Sequence, residues 1–400
     1  MSFIDQLSDP LVWERFYEYK STRVSSGALL KDLRAYIDAR DYLPVCESIA
    51  RGEPFPLPRK SIISKMGSDK KRVVYTYPPR ENMLLKLLTY LLLRRYDGLF
   101  SAQLYSFRPR LTAKDAVKTL KKTRGLNDLY AYKVDIHDYF NSIPLPLFLP
   151  ELRAALDDEE LYDFLSQLLL EKRVKSGKEI IEEEKGIMAG TPLSAFYANL
   201  YLRALDAHFE EQGVLYARYS DDIIVFARDR EEIDAHAAYI KEYLAARRLC
   251  VNPAKENLYL PREGFTFLGF AVNGKTVDIA PATLKKLKMK MRRKARALMR
   301  WQQRGGHGNE KAAKAFVRIF RRKLLEGPTD RELSWSAWFF PVITTTKSLH
   351  EIDLYAQECL RWLLGGTRTK ARFNVRYEDL KAIGYESLVH AYYSYEREQD

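Results

Sequence analysis

The sequence predicts an α+β protein, on three observations. Between Asp128 and Phe270 short β-type runs alternate with helical runs, which suggests a sheet with helices on one face. The segments before residue 50 and after Pro281 read as helices, the last of them rich in aromatics. Hydrophobic residues make up 46% of the 400 positions and charged residues 30%, which supplies a core and excludes whole-chain disorder.

Each element has its own signal. Leu11–Tyr19 and Leu29–Ile37 carry apolar residues at helical spacing, and Gly52–Pro58 (GEPFPLP) is a Pro-rich break. Arg72–Tyr77 reads as a strand and Arg80–Tyr96 as a long, largely buried helix. Leu129–Ile136 is a strand, Leu147–Lys172 a helix, Val174–Lys185 a hairpin around Ser176–Gly177, and Thr191–Glu211 a helix. Leu215–Ala227 (LYARYSDDIIVFA) reads as two strands joined at a charged centre. Glu231–Arg248 is a helix, and Gly264–Ala271 begins a short strand pair. Between Ala280 and Leu325 there are sixteen Lys or Arg and one acid, Glu310. Gly305–Gly308 interrupts that stretch as a loop. The expected division is an N-terminal helical extension (1–54), a mixed central part (55–275) and a basic helical part with a C-terminal helical region (276–400).

Lys and Arg number 66 against 53 Asp and Glu, a net charge of +13, which points toward a polyanionic partner. Cys46, Cys250 and Cys359 lie far apart without CxxC spacing, which argues against a disulfide scaffold or a cysteine-rich zinc site and suits a reducing compartment. The start, MSFIDQLSDP, lacks a basic segment followed by an apolar one, and no apolar run approaches ~20 residues. The expectation is a cytoplasmic protein with no membrane partner.

The chemistry concentrates in three segments. Asp221 and Asp222 sit between two apolar strand runs, so a hairpin tip presents both beyond the end of a sheet. Adjacent carboxylates repel, and a divalent cation relieves that repulsion. Asp135 ends the strand-like run VDIHDYFNSI. Gly186–Leu202 (GIMAGTPLSAFYANLYL) holds a tight turn at Gly190–Pro192 just before a helix, where backbone can approach a phosphate closely. In isolation each segment also reads as ordinary structure: a solvated turn, a cap, a capped helix.

In order, VDIxxYFxxI, GxPLSxxxANLYL, YSDD between apolar strands and FLGF resemble reverse transcriptases, over roughly residues 55–275. The chain looks closest to bacterial enzymes of the group II intron-like and retron-like kind. The resemblance implies a right-hand polymerase fold: fingers and palm over 55–275, then a basic helical thumb. It implies RNA-directed DNA synthesis with Asp135, Asp221 and Asp222 holding two Mg²⁺ ions, for which Mn²⁺ substitutes. Lys65 and Arg72, in the fingers-like segment Lys65–Arg72, would neutralise triphosphate oxygens. Tyr105–Pro109 (YSFRP) resembles the segment that follows. Phe140 falls where the family places an aromatic under the nucleotide sugar, which selects deoxyribose. Gly190 belongs to the nucleotide-side turn, and Lys255 in VNPAKENL matches the lysine after the catalytic hairpin.

The chain departs from the pattern at Ala189, where intron-type relatives carry glutamine, and looser nucleotide or template discrimination is the expectation. AVNGK after FLGF departs from the retron pattern, and no HNH-type nuclease cluster is present. Residues 1–50 and 334–400 match neither the intron nor the retron pattern, and a compact chain with divergent ends and no endonuclease resembles domesticated, defence-associated reverse transcriptases. The partners that follow are deoxynucleoside triphosphates, a structured non-coding RNA template and the DNA product, with oligomerisation open. The basic tract Lys285–Lys323, with Trp301 inside it, is expected to follow a phosphate backbone. The alternatives are a retroelement enzyme of intron or retron type, and an RNA-binding maturase-like protein with weak polymerase activity.

Overall fold

The computed structural model describes residues 2–22, 27–64, 71–326 and 335–399. The chain forms two compact units that part between Glu263 and Gly264, ahead of the break expected at 275. The reason lies in the strands that follow Gly264. β9 (Phe265–Phe267), β10 (Phe270–Asn273) and β11 (Thr276–Ile279) pair with one another, and the backbone of Val277 exchanges hydrogen bonds with Thr344 at 2.8 and 2.9 Å. The hairpins therefore belong with the C-terminal helices.

In the first unit, β1 (Arg59–Ser64) and β2 (Lys71–Thr76) form an antiparallel pair. β1 also meets β4 (Arg173–Ser176), which turns through Gly177–Lys178 into β5 (Glu179–Glu182), giving the order β2-β1-β4-β5. A second sheet has the order β6-β7-β3-β8, from Tyr216–Tyr219, Asp222–Ala227, Tyr130–Asp135 and Asn257–Tyr259 respectively. All its pairings are antiparallel. Side chains alternate across it. Tyr132, Val134, Ile223 and Val225 face the large apolar core, while Lys133, Asp135 and Asp222 occupy the other face. The helix Arg230–Ala246 packs against β3 and β7.

Two expected helices are broken. Leu147–Lys172 is divided into Leu145–Ala155 and Glu159–Leu170, because Asp158 leaves the helix and caps the second half, its side chain accepting from Leu161 N at 2.9 Å. Thr191–Glu211 is divided into Ser194–Tyr201 and Arg203–Glu211 at the non-helical Leu202. The N-terminal helices, expected as an extension, pack into the same unit. Phe3 stacks on Tyr96, and Tyr36 donates to Arg80 O at 3.0 Å.

The second unit builds helices Pro281–Gly305, Asn309–Phe320 and Lys347–Gly365 into one packed group. The first two are separated by a glycine turn as expected, with Gly306 at φ +59°. Leu284, Met291, Ala295 and Leu298 bury one stripe of the long basic helix and leave its cations outside. Asp353 is a buried acid with four donors: Tyr385 Oη, Ser387 Oγ and the backbone N–H groups of Leu388 and Val389. It anchors the last helix, Leu388–Gln399. No helix among the described residues is long and apolar enough to cross a membrane.

Candidate active site

Asp135 ends β3 and Asp222 begins β7, and the two are direct cross-strand partners. Asp221 lies in the two-residue turn between β6 and β7, its carbonyl accepting from Ile136 N at 3.1 Å. The structure thus brings the three predicted carboxylates to one end of one sheet. Burial, with Asp135 and Asp222 beside it, raises the Asp221 carboxyl to about 6. Burial also raises Asp222, opposed by Lys133, whose Nζ stands 3.7 Å from its Oδ1.

Asp135 is buried and ion-paired with Lys255. The loop that carries Lys255 docks on the same residue: Asn252 N donates to Asp135 O at 2.7 Å and Asn252 Nδ2 to Oδ1 at 3.4 Å. Lys255, expected among the substrate-binding residues, is in this structure the counterion of Asp135. Among the described residues no group of three or more His, Cys, Asp or Glu side chains is assembled to hold a metal ion. The donor chemistry fits a hard divalent cation all the same. The three groups are carboxylates, and burial together with the neighbouring Asp135 and Asp222 raises Asp221, a cost that such a cation would relieve.

The hairpin turn is held from beneath. Ser220 adopts φ +59°, a conformation that non-glycine residues reach at a cost of about 1–3 kcal/mol. Both its backbone groups are clamped. Its N–H donates to Ser106 Oγ at 2.9 Å, and its carbonyl accepts from Arg218 Nη1 at 3.2 Å. Arg218 and Asp206 are fully buried and joined by two hydrogen bonds, at 2.7 and 2.5 Å. Arg218 Nη2 also reaches Asn199 O at 3.2 Å, a carbonyl left free by the helix break at Leu202. Asn199 Nδ2 in turn donates to Ser106 O at 2.8 Å. The YSFRP and ANLYL segments therefore act together as a cradle for the Asp-bearing turn. The signal for Arg218 was present in the sequence: an arginine on the inward-facing register of an apolar strand needs a buried acid.

The 186–190 turn is seated just as tightly. Gly186 (φ +51°) lies so close to the Phe140–Asn141 backbone that a Cβ would stand 2.6 Å from Phe140 O. Gly190 (φ +99°) approaches β2, where a Cβ would meet Tyr75 O and Val74 Cβ at 3.1 Å. Ala189 O accepts from Tyr75 N at 2.8 Å, and Ala189 N donates to Asn141 Oδ1 at 3.3 Å. Phe140, Ala189, Gly190 and β2 thus form one assembly. Phe140 is half-buried, whereas the Ala189 side chain is only 2% exposed. The glycine approaches protein backbone here, where the sequence suggested a phosphate. Arg72 is exposed on β2, opposite Ile63. Lys65 lies outside the described residues. A residue the sequence reading passed over is Lys185, whose buried ammonium has no hydrogen-bond partner among the described residues and is pulled down by burial.

The chain is similar in sequence to known proteins. The chain is 24% identical over 211 residues to the group II intron-encoded protein LtrA of Lactococcus lactis subsp. cremoris, covering 52% of this chain. It spans about a third (34%) of that relative's length. Among solved structures, apo telomerase from Candida tropicalis, truncated from its C-terminal domain, aligns with a TM-score of 0.45 and 12% identity over 56% of this chain and 55% of that one. Telomerase from Candida albicans, in complex with a TWJ fragment of telomeric RNA, aligns with a TM-score of 0.44 and 12% identity over 84% and 64%. The family described as reverse transcriptase (RNA-dependent DNA polymerase) matches residues 63–272, which contain Asp135, Asp221, Asp222 and both supporting turns. With that match covering more than half of its length, the chain belongs to the reverse transcriptase family.

Proposed function

We propose that the protein is an RNA-directed DNA polymerase that extends a primer 3′-hydroxyl with deoxynucleotides. The observation that carries this reading is the cross-strand pairing of Asp135 with Asp222, with Asp221 on the adjoining turn. Family membership supports the right-hand arrangement of fingers, palm and thumb. Two divalent cations, Mg²⁺ or Mn²⁺, held by Asp135, Asp221 and Asp222, would supply charge neutralisation at the attacking and leaving oxygens. The chain's own residues do the rest. The Arg218–Ser106 clamp fixes the turn, so the carboxylates are preorganised. Lys255 and Lys133 balance the acids in the absence of substrate. Phe140 and the 186–190 turn form a wall suited to a sugar lacking a 2′-hydroxyl.

The finer proposal is that the template is a dedicated structured non-coding RNA and that the role is anti-phage defence. Its support is the likeness to domesticated enzymes and the basic helix Pro281–Gly305. The experiment is to purify the chain from its native operon, with Asp221→Ala/Asp222→Ala beside it, and sequence the nucleic acid bound to each. Complementary DNA in the parent alone, on one abundant RNA, is expected, together with phage protection that the double variant lacks. Bound RNA without DNA in both would favour a binding protein.

A further inference from the structure

The second unit contains a cavity of about 800 Å³ between the basic helix Pro281–Gly305 and the segment 355–373. That size is within the range of small-ligand sites. Its lining holds five cations and one acid, Glu358. Arg372 is committed to Glu358 at 3.3 Å, and Arg361 is fixed by the Val375 carbonyl at 3.1 Å. Arg292, Arg368 and Lys370 have no ion pair among the described residues, and all three are exposed.

Three aromatics, Tyr355, Trp362 and Phe373, complete the wall. Trp362 carries the Arg368 guanidinium over its ring at 4.3 Å. Phe373 is 84% exposed, in a four-residue helix entered through Lys370 at φ +51°. Its phenyl face is therefore open for a planar ligand to stack on. One exposed ring and two half-buried ones beside cations that lack an ion pair match one ligand chemistry: a nucleobase that stacks, flanked by phosphates that the cations neutralise.

We infer that this cavity binds an unpaired nucleotide of a single-stranded nucleic acid, with the base against Phe373 and Trp362 and the flanking phosphates at Arg292, Arg368 and Lys370. The site lies outside residues 63–272, so it stands without the polymerase reading. The basic helix also attracts phosphate generally, so the test must report on position as well as affinity.

The experiment uses the full chain and a 12-nucleotide strand containing 4-thiouridine, as RNA and as DNA with 4-thiothymidine. Ultraviolet cross-linking with peptide mapping should place the adduct in the peptides holding Trp362 or Phe373. Phe373→Ala, which removes an exposed ring and spares the core, should abolish that adduct and weaken binding at least about 5-fold. Arg292→Gln/Lys370→Gln should lower the slope of log affinity against log salt by about 1.4. Asp221→Ala/Asp222→Ala should retain both signals. Preference for the RNA or for the DNA strand identifies the source, and either supports the site. Adducts confined to other peptides, unchanged affinity in both variants, or competition by a free mononucleotide as effective as the 12-mer would each overturn it.

Discussion

Arg218 and Asp206 form a fully buried ion pair that reaches the candidate active site through one carbonyl. The guanidinium that grips both Asp206 oxygens also donates to Ser220 O, 3.2 Å away and one residue before Asp221. A buried pair is costly to break, because the survivor keeps its charge without a partner. Arg218→Met or Asp206→Asn should therefore destabilise the protein by about 3–5 kcal/mol in urea unfolding. Arg218→Met/Asp206→Leu removes both charges and should recover most of that stability. DNA synthesis should stay low in the double variant, since Ser220 O has lost its donor. Full activity there would mean that the clamp has no positioning role.

The two glycines of the 186–190 turn make a graded prediction. Gly186→Ala puts a methyl group 2.6 Å from a backbone carbonyl, whereas Gly190→Ala meets its neighbours at 3.1 Å. Both also force alanine to positive φ. Each should cost about 1–3 kcal/mol, with Gly186→Ala the worse, and thermal unfolding ranks them. Ala189→Gln inserts a longer side chain at a site only 2% exposed. Overpacking of about 1–3 kcal/mol is expected there, in place of the fidelity change that the sequence alone suggested.

Phe140 is half-buried against Tyr139, with ring centroids 5.5 Å apart, and its carbonyl accepts from Ile187 N at 3.0 Å. Phe140→Val keeps the backbone seat and removes the ring. The ratio of kcat/KM for deoxynucleotides over ribonucleotides should fall by at least about 10-fold, as expected when one steric contact is deleted. An unchanged ratio would move sugar selection elsewhere.

Much of this was legible in the sequence. The alternation of VDIHDYF and the apolar runs around Asp221–Asp222 located β3, β6 and β7, because period-two patterning is local. What was hidden was either masked by a continuous local pattern or depends on contacts between distant segments. Asp158 as a cap and the break at Leu202 were masked by continuous helical spacing. β1 was missed because Arg59–Ser64 becomes a strand through pairing with β2. Arg218, Asp206, Ser106 and Asn199 are polar residues scattered over more than a hundred positions. Only folding shows that they satisfy one another.

Removing divalent cations gives a further prediction. With chelator, nucleotide incorporation should cease while the fold is kept, because Lys255 and Lys133 balance the acids. Mg²⁺ or Mn²⁺ should restore incorporation in the parent and not in Asp221→Asn. Circular dichroism and incorporation, measured on the same samples, separate loss of activity from unfolding.

The most direct test of the central claim is incorporation of labelled deoxynucleotide onto a primer annealed to an RNA of defined sequence, by the parent and by Asp221→Ala/Asp222→Ala. The account predicts product that is the complement of the RNA from the parent and none from the double variant. Equal synthesis by both proteins, or untemplated product from the parent, would contradict it.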